Sequence, residues 1–324
     1  MRFTLRGLVV GYLSALSADH AAAGAAALID EYERYMPDNA QSQRIRLHLM
    51  HGDLHAATAA RRRFELLSVR LGSMSDARLF DLHAQLTLYT LSDDSTGLRR
   101  TLLALREVAS TRAGWQPRAI LAEAQLLRCQ GHVAEGLRTC EALLRELPAL
   151  CLDYGQAAAS HVELLNAAQR WSDAVSCGEA YLEGLQRAGA PEYRVELMLC
   201  QALSAQGDHT RAEALFEHAR EQLEGRSVTG VLTGVTYEIG ARLALQRGDV
   251  SLARARLVRC ADRLWTGKHP ALLARYHALS RQAEQAARVS WAPAALPVAP
   301  RAQLPLTGEA TATTQVNPDR GDER

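Results

Sequence analysis

One short motif returns along this chain at a nearly constant interval. A Gly207-Asp208 turn follows an apolar stretch at 195–205, and Ala212, Phe216 and Ala219 come after it. Offsets of four and seven residues lie on one face of a helix. Small side chains on that face let a neighbouring helix come close, and Phe216 fills the space beside them. Arg247-Gly248-Asp249 is followed by Ala253 and Leu257, at the offsets of Ala212 and Phe216. His51-Gly52-Asp53 is followed by Ala57 and Phe64, and Gln130-Gly131-His132 by Gly136 and Cys140, with Pro148 closing that hairpin. Gln169-Arg170-Trp171 precedes Ala174 and Gly178 but lacks the glycine, and Ser92-Asp93-Asp94, followed by Gly97, is a weaker copy. Anchors at 52, 92, 131, 169, 207 and 248 step by 40, 39, 38, 38 and 41 residues. Such a step marks stacked helical pairs rather than a two-layer domain.

The Gly207-Asp208 turn with Ala212, Phe216 and Ala219, and the Gly131-to-Pro148 spacing, resemble the second half of a tetratricopeptide repeat across residues 1–288. The step exceeds the usual length of about 34 residues, and the first-helix tryptophan and tyrosine are mostly missing. In its long step the chain is similar to repeat regions C-terminal in bacterial STAND-type ATPase regulators and some bacterial Ser/Thr kinases. The run Tyr276-His277-Ala278-Leu279-Ser280-Arg281-Gln282-Ala283, followed by Ser290-Trp291-Ala292, is similar to the way such regions end. The resemblance implies an all-α fold: a right-handed superhelical array of about seven helical hairpins, closed by a C-terminal capping helix and followed by a disordered tail.

In chain order the expected hairpins are 1–37, 39–51 with 54–71, 75–91 with 96–110, 117–148, 152–168 with 172–188, 191–223, and 235–246 with 251–264. Residues 225–234 read as a looser entry to the seventh, and Pro37 as the end of the first. Gly7 to Leu16 reads as a first helix rather than a secretory leader, because an amphipathic partner of matching length follows it. Ser95 or Thr96 is the expected cap of the helix at 96–110, and Asp53, Asp208 and Asp249 are expected to cap helices after their turns. Pro270 opens a last helix to about 288, whose polar residues, Arg275 and Arg281 among them, suit an outer capping face. Half of the ten prolines fall in 289–324, together with four threonines at 307, 311, 313 and 314. That composition reads as a disordered tail.

Chemistry finds little support in the residues. The single lysine, Lys268, sits in Thr266-Gly267-Lys268-His269, without the spacing or hydroxyl of a phosphate-binding loop. Kinase motifs and a Gly-x-Ser-x-Gly elbow are absent. His48, His51 and His55 are separated by the Gly52-Asp53 turn and share no helix face, so no metal site is expected. The six cysteines form no Cys-x-x-Cys pair. Cys140 takes the Phe216 position and Cys260 the Ala219 position, so they read as small core residues, reduced and suited to a cytoplasmic location. A net charge of +1 offers no footprint for nucleic acid. Arg61-Arg62-Arg63 fan around a helix as a solvated face, and no apolar run is long enough to span a membrane. The expected protein is therefore not an enzyme and carries no cofactor.

A binding surface is the remaining expectation. In stacked hairpins the first helices line the concave groove. Six residues before each anchor stand Arg46, Leu86, Gln125, Glu163, Gln201 and Arg242; thirteen before stand Asn39, Leu79, Arg118, Gln156, Arg194 and Val235. Arg46, Arg118, Gln125, Arg128, Glu163, Arg194, Gln201 and Arg242 are the candidate groove residues, with Arg118, Arg128 and Arg194 gathered to receive an acidic segment. The expected function is a protein-interaction scaffold holding a peptide or protein partner. The alternative is a detached regulatory region that binds a small effector or controls a kinase or STAND-type ATPase.

Overall fold

The computed structural model describes residues 25–71, 77–225, 230–264 and 269–291. Fourteen α-helices and no strand occur among the described residues: α1 Ala25–Glu33, α2 Pro37–Met50, α3 Leu54–Leu71, α4 Ala77–Leu91, α5 Ser95–Ala109, α6 Gln116–Cys129, α7 Val133–Glu146, α8 Leu152–Ala167, α9 Trp171–Ala188, α10 Tyr193–Ala205, α11 His209–Gly225, α12 Val231–Gln246, α13 Val250–Leu264 and α14 Pro270–Trp291. The fold is all-α, as expected. Most of the first expected hairpin and most of the expected tail lie outside the described residues.

Six turns have one construction. Gly52, Asp93, Gly131, Gln169, Gly207 and Gly248 all adopt a left-handed φ between 55° and 86°. At each, that residue's amide donates three residues back and the next amide five residues back. Gly207 donates to the Ser204 carbonyl at 3.0 Å and Asp208 to the Leu203 carbonyl at 3.0 Å; Asp93 donates to Thr90 at 3.3 Å and Asp94 to Tyr89 at 3.0 Å. These paired bonds satisfy the carbonyls that a helix end leaves orphaned. Asp53, Asp208 and Asp249 then cap the following helices, accepting from the amides of Ala56, Arg211 and Leu252. Asp94 does the same for α5 through Gly97 at 2.9 Å, in place of the expected Ser95 or Thr96.

The anchor at 92 therefore moves to Asp93, and the left-handed residues step by 41, 38, 38, 38 and 41. The position equivalent to Ala212 becomes Leu98, fully buried. Gly97 instead lies under the Tyr89 ring, where a Cβ would fall 2.5 Å from ring carbons. Three further boundaries differ from expectation. Pro37 opens α2 rather than closing α1, because a proline at the first helical position loses no intrahelical bond. Helix α12 begins at Val231, not Val235, and α14 continues to Trp291.

The helices sort into two sets. The even-numbered helices pack on one another in order from α2 to α14, and each from α2 to α12 also packs on the odd-numbered helix that follows its turn. The core is continuous from Ile45 to Leu272. Where helices cross, the small residues are buried: Ala57, Ala174, Ala212 and Ala253 are at most 2% exposed. Phe216 of α11 rests on Gly240 of α12, where a Cβ would stand 2.3 Å from its ring. The Arg256 guanidinium covers the ring at 4.3 Å and donates to the Gly240 carbonyl at 2.9 Å. Cys140, Cys200 and Cys260 are buried, and all six cysteines are free thiols.

One contact departs from a linear stack. Helix α12 also packs on α4, and the Gly230 backbone approaches Met50 so closely that a Cβ would lie 2.4 Å from the Met50 carbonyl oxygen. From α14, Arg275 reaches back 184 residues to donate to the Leu91 carbonyl at 2.6 Å, and to Asp93 at 3.1 Å. Arg275 is thus an inward clamp and not part of an outer capping face.

A candidate ligand cavity on the inner wall

Helices α4, α6, α8, α10, α12 and α14 border a half-open cavity of about 680 Å³. Its wall falls into two parts. Leu197 and Met198 of α10, with Leu232, Val235, Ile239 and Leu243 of α12, form an apolar side. Asp93, Arg128, Glu163, Arg242 and Arg275 gather near the turn ends of the even helices. The side chains of Gln156, Asn166, Gln201, Gln246 and Trp171 complete the lining.

The charged part is one connected network. Glu238, fully buried behind the wall, accepts from Arg275 at 3.1 and 2.7 Å and from Arg242 at 2.6 Å. Arg275 continues to Asp93, whose other oxygen accepts from Arg128 at 2.5 Å. Arg128 donates to Gln125 at 2.8 Å, and Gln125 donates in turn to Ser160 and Glu163, both at 2.9 Å. Burial disfavours the charge on Arg128, but Glu163 and Asp93 outweigh it and hold its pKa above the usual guanidinium value. Burial likewise opposes the charge on Arg275, and Glu238 reverses the balance. Both arginines therefore stay charged although mostly buried.

Five of the eight candidate groove residues line this cavity: Arg128, Glu163, Arg194, Gln201 and Arg242. The other three do not. Arg46 is buried in α2, which does not border the cavity. Gln125 is 2% exposed and acts behind the wall, holding Arg128 and Glu163 in place. Arg118 bonds Asp153 at 2.9 Å and lies over the Trp115 ring at 4.3 Å, so it does not join Arg128 and Arg194 on one wall. The corrected turn also explains Leu86, which is buried, while its neighbour Thr87 lines the cavity.

Sequence reasoning missed Asp93, Glu238 and Arg275 as partners. The available signal was an acidic residue in a turn position that glycine fills elsewhere. A non-glycine residue held left-handed costs about 1–2 kcal/mol, and aspartate tolerates it better than most. The chain matches no protein-family model and no curated protein.

Burial raises the pKa of five of the six thiols, Cys140 and Cys260 to about 12, which disfavours the reactive thiolate. Among the described residues no group of three His, Cys, Asp or Glu side chains could hold a metal ion, and no helix is long and apolar enough to cross a membrane.

Proposed function

We propose that the chain is a non-enzymatic binding module, a tetratricopeptide-like array wound as a right-handed superhelix, that holds a small effector in its inner cavity. One observation carries this reading: the even helices border a half-open cavity of about 680 Å³, with an apolar side and a charged end. Small-molecule sites are of this size and composition, about 300–1,000 Å³ and mostly apolar with a few placed polar groups. The resemblance to regulatory repeat regions supplies the context, in which effector occupancy would control a bacterial kinase or STAND-type ATPase.

The four amide side chains on the wall favour a second reading, a scaffold for a short peptide or protein segment. Side-chain amides can match the donors and acceptors of an extended backbone.

Ala159→Trp places a large ring in the cavity and separates these readings from a structural role. Wild type and variant are screened by thermal shift against a collection of small polar and amphipathic metabolites, and in parallel on a peptide array. Compounds that raise the melting temperature of wild type and not of the variant are expected, since a ligand stabilises only the form that binds it. Identical compound lists for both proteins would count against the effector reading. Peptides bound by wild type alone, with no compound hits, would favour the scaffold.

A further inference from the structure

The wall of the cavity carries four guanidiniums, Arg128, Arg194, Arg242 and Arg275, against two carboxylates, Asp93 and Glu163. Glu238 lies just behind it and is fully buried. The pairings of three of these arginines indicate where an anion would bind. Arg275 faces both oxygens of Glu238, the Leu91 carbonyl and Asp93. Arg128 is engaged by Asp93 and Gln125. Arg242 gives Glu238 one bond, at an oxygen that Arg275 already occupies, and its side chain remains 46% exposed. A guanidinium has five N–H donors in a planar fork, and a carboxylate matches two of them at once.

The apolar side runs away from Arg242 along the same helix. Ile239, Val235 and Leu232 lie three, seven and ten residues before it, one to three helical turns at about 1.5 Å per residue. Leu197 and Met198 face the same space from α10. The wall thus presents a cation at one end of a greasy strip on the order of 15 Å long.

We infer that the cavity takes a linear amphipathic monocarboxylate, its head on Arg242 and its hydrocarbon body along Ile239, Val235 and Leu232. This rests on the effector reading above and names the chemical class of ligand. The head would share the Arg242 fork with Glu238, and the body would remove apolar surface of both partners from water. Affinity then grows with chain length, by about fourfold for each buried methylene.

Calorimetric titration of the full chain with hexanoate, octanoate, decanoate and decan-1-ol tests it, alongside Arg242→Gln and Ala159→Trp. Decanoate is expected to bind one per chain and more tightly than octanoate and hexanoate. Arg242→Gln is expected to lose at least tenfold for decanoate while leaving decan-1-ol unchanged, and Ala159→Trp to lose both. Equal affinity for decanoate and decan-1-ol, or indifference of decanoate to Arg242→Gln, overturns the carboxylate assignment and leaves the effector reading standing. Decanoate binding that persists in Ala159→Trp places the ligand outside the cavity and also overturns the inference. If no compound of the series binds, the class is wrong, and the metabolite screen decides the broader reading separately.

Discussion

Replacing Arg275 with alanine tests the closure of the array. The guanidinium joins α14 to the turn after α4 through the Leu91 carbonyl and Asp93, and to Glu238 of α12 through both carboxylate oxygens. Removing one partner of a buried ion pair costs about 3–5 kcal/mol when the other is left alone. Glu238 keeps Arg242, so the cost at that carboxylate is smaller. Asp93 is 45% exposed at its side chain and keeps Arg128, so its share is at most about 1 kcal/mol. The lost bond to the Leu91 carbonyl adds roughly 1 kcal/mol. Together these give about 2–4 kcal/mol, or a fall in melting temperature of about 3–6 °C for a chain of this size. The remaining contacts between α4 and α12 are few, so the array should also open, and X-ray scattering should show a larger radius of gyration. Asp93→Asn is the control. Asparagine tolerates the left-handed turn, so a milder loss is expected there, about 1 kcal/mol. A melting temperature for Arg275→Ala within a degree of wild type, with unchanged scattering, would show that the clamp closes nothing.

Gly240→Ala sets two effects against each other. Alanine gains about 1 kcal/mol of helix propensity over glycine, but its Cβ would stand 2.3 Å from a Phe216 ring backed by Arg256; overpacking of about 1–3 kcal/mol should win, and a urea midpoint above wild type would refute this packing. Acid should destabilise the fold. Burial lowers the pKa of His48, His51, His161 and His269, so the unfolded chain takes up these protons first. Their contribution is present above the unfolded value of about 6.5 and is lost as pH falls through the lower folded values. His218, raised by its bond to Glu196, and Glu196, raised by burial, work the other way, losing stability as pH rises. With four groups against two, melting should occur at lower temperature at pH 5.5 than at pH 7.5. Melting that is flat or rises with acid would contradict the burial of those four rings.

The sequence by itself determined the elements and their order. A left-handed residue must end each inner helix, only small residues fit the crossings, and an aspartate after the glycine can cap the next helix. These are local requirements, so Gly207, Ala212 and Asp208 announce them wherever they recur. The same locality explains the slip at Asp93. Pattern alone cannot separate Ser92 from Asp93 as the turn residue, and the error propagates to Leu86 in place of Thr87. Five of the candidate residues line the cavity because helical spacing puts them on one side of their helices. Tertiary structure decided the rest. Whether the row of helices stays open or bends back on itself depends on small angles added at every step, and no single repeat encodes their total. Only in three dimensions do Leu91 and Arg275, 184 residues apart, come within 2.6 Å. That contact joins two walls of the half-open cavity and turns the expected outer cap into a clamp.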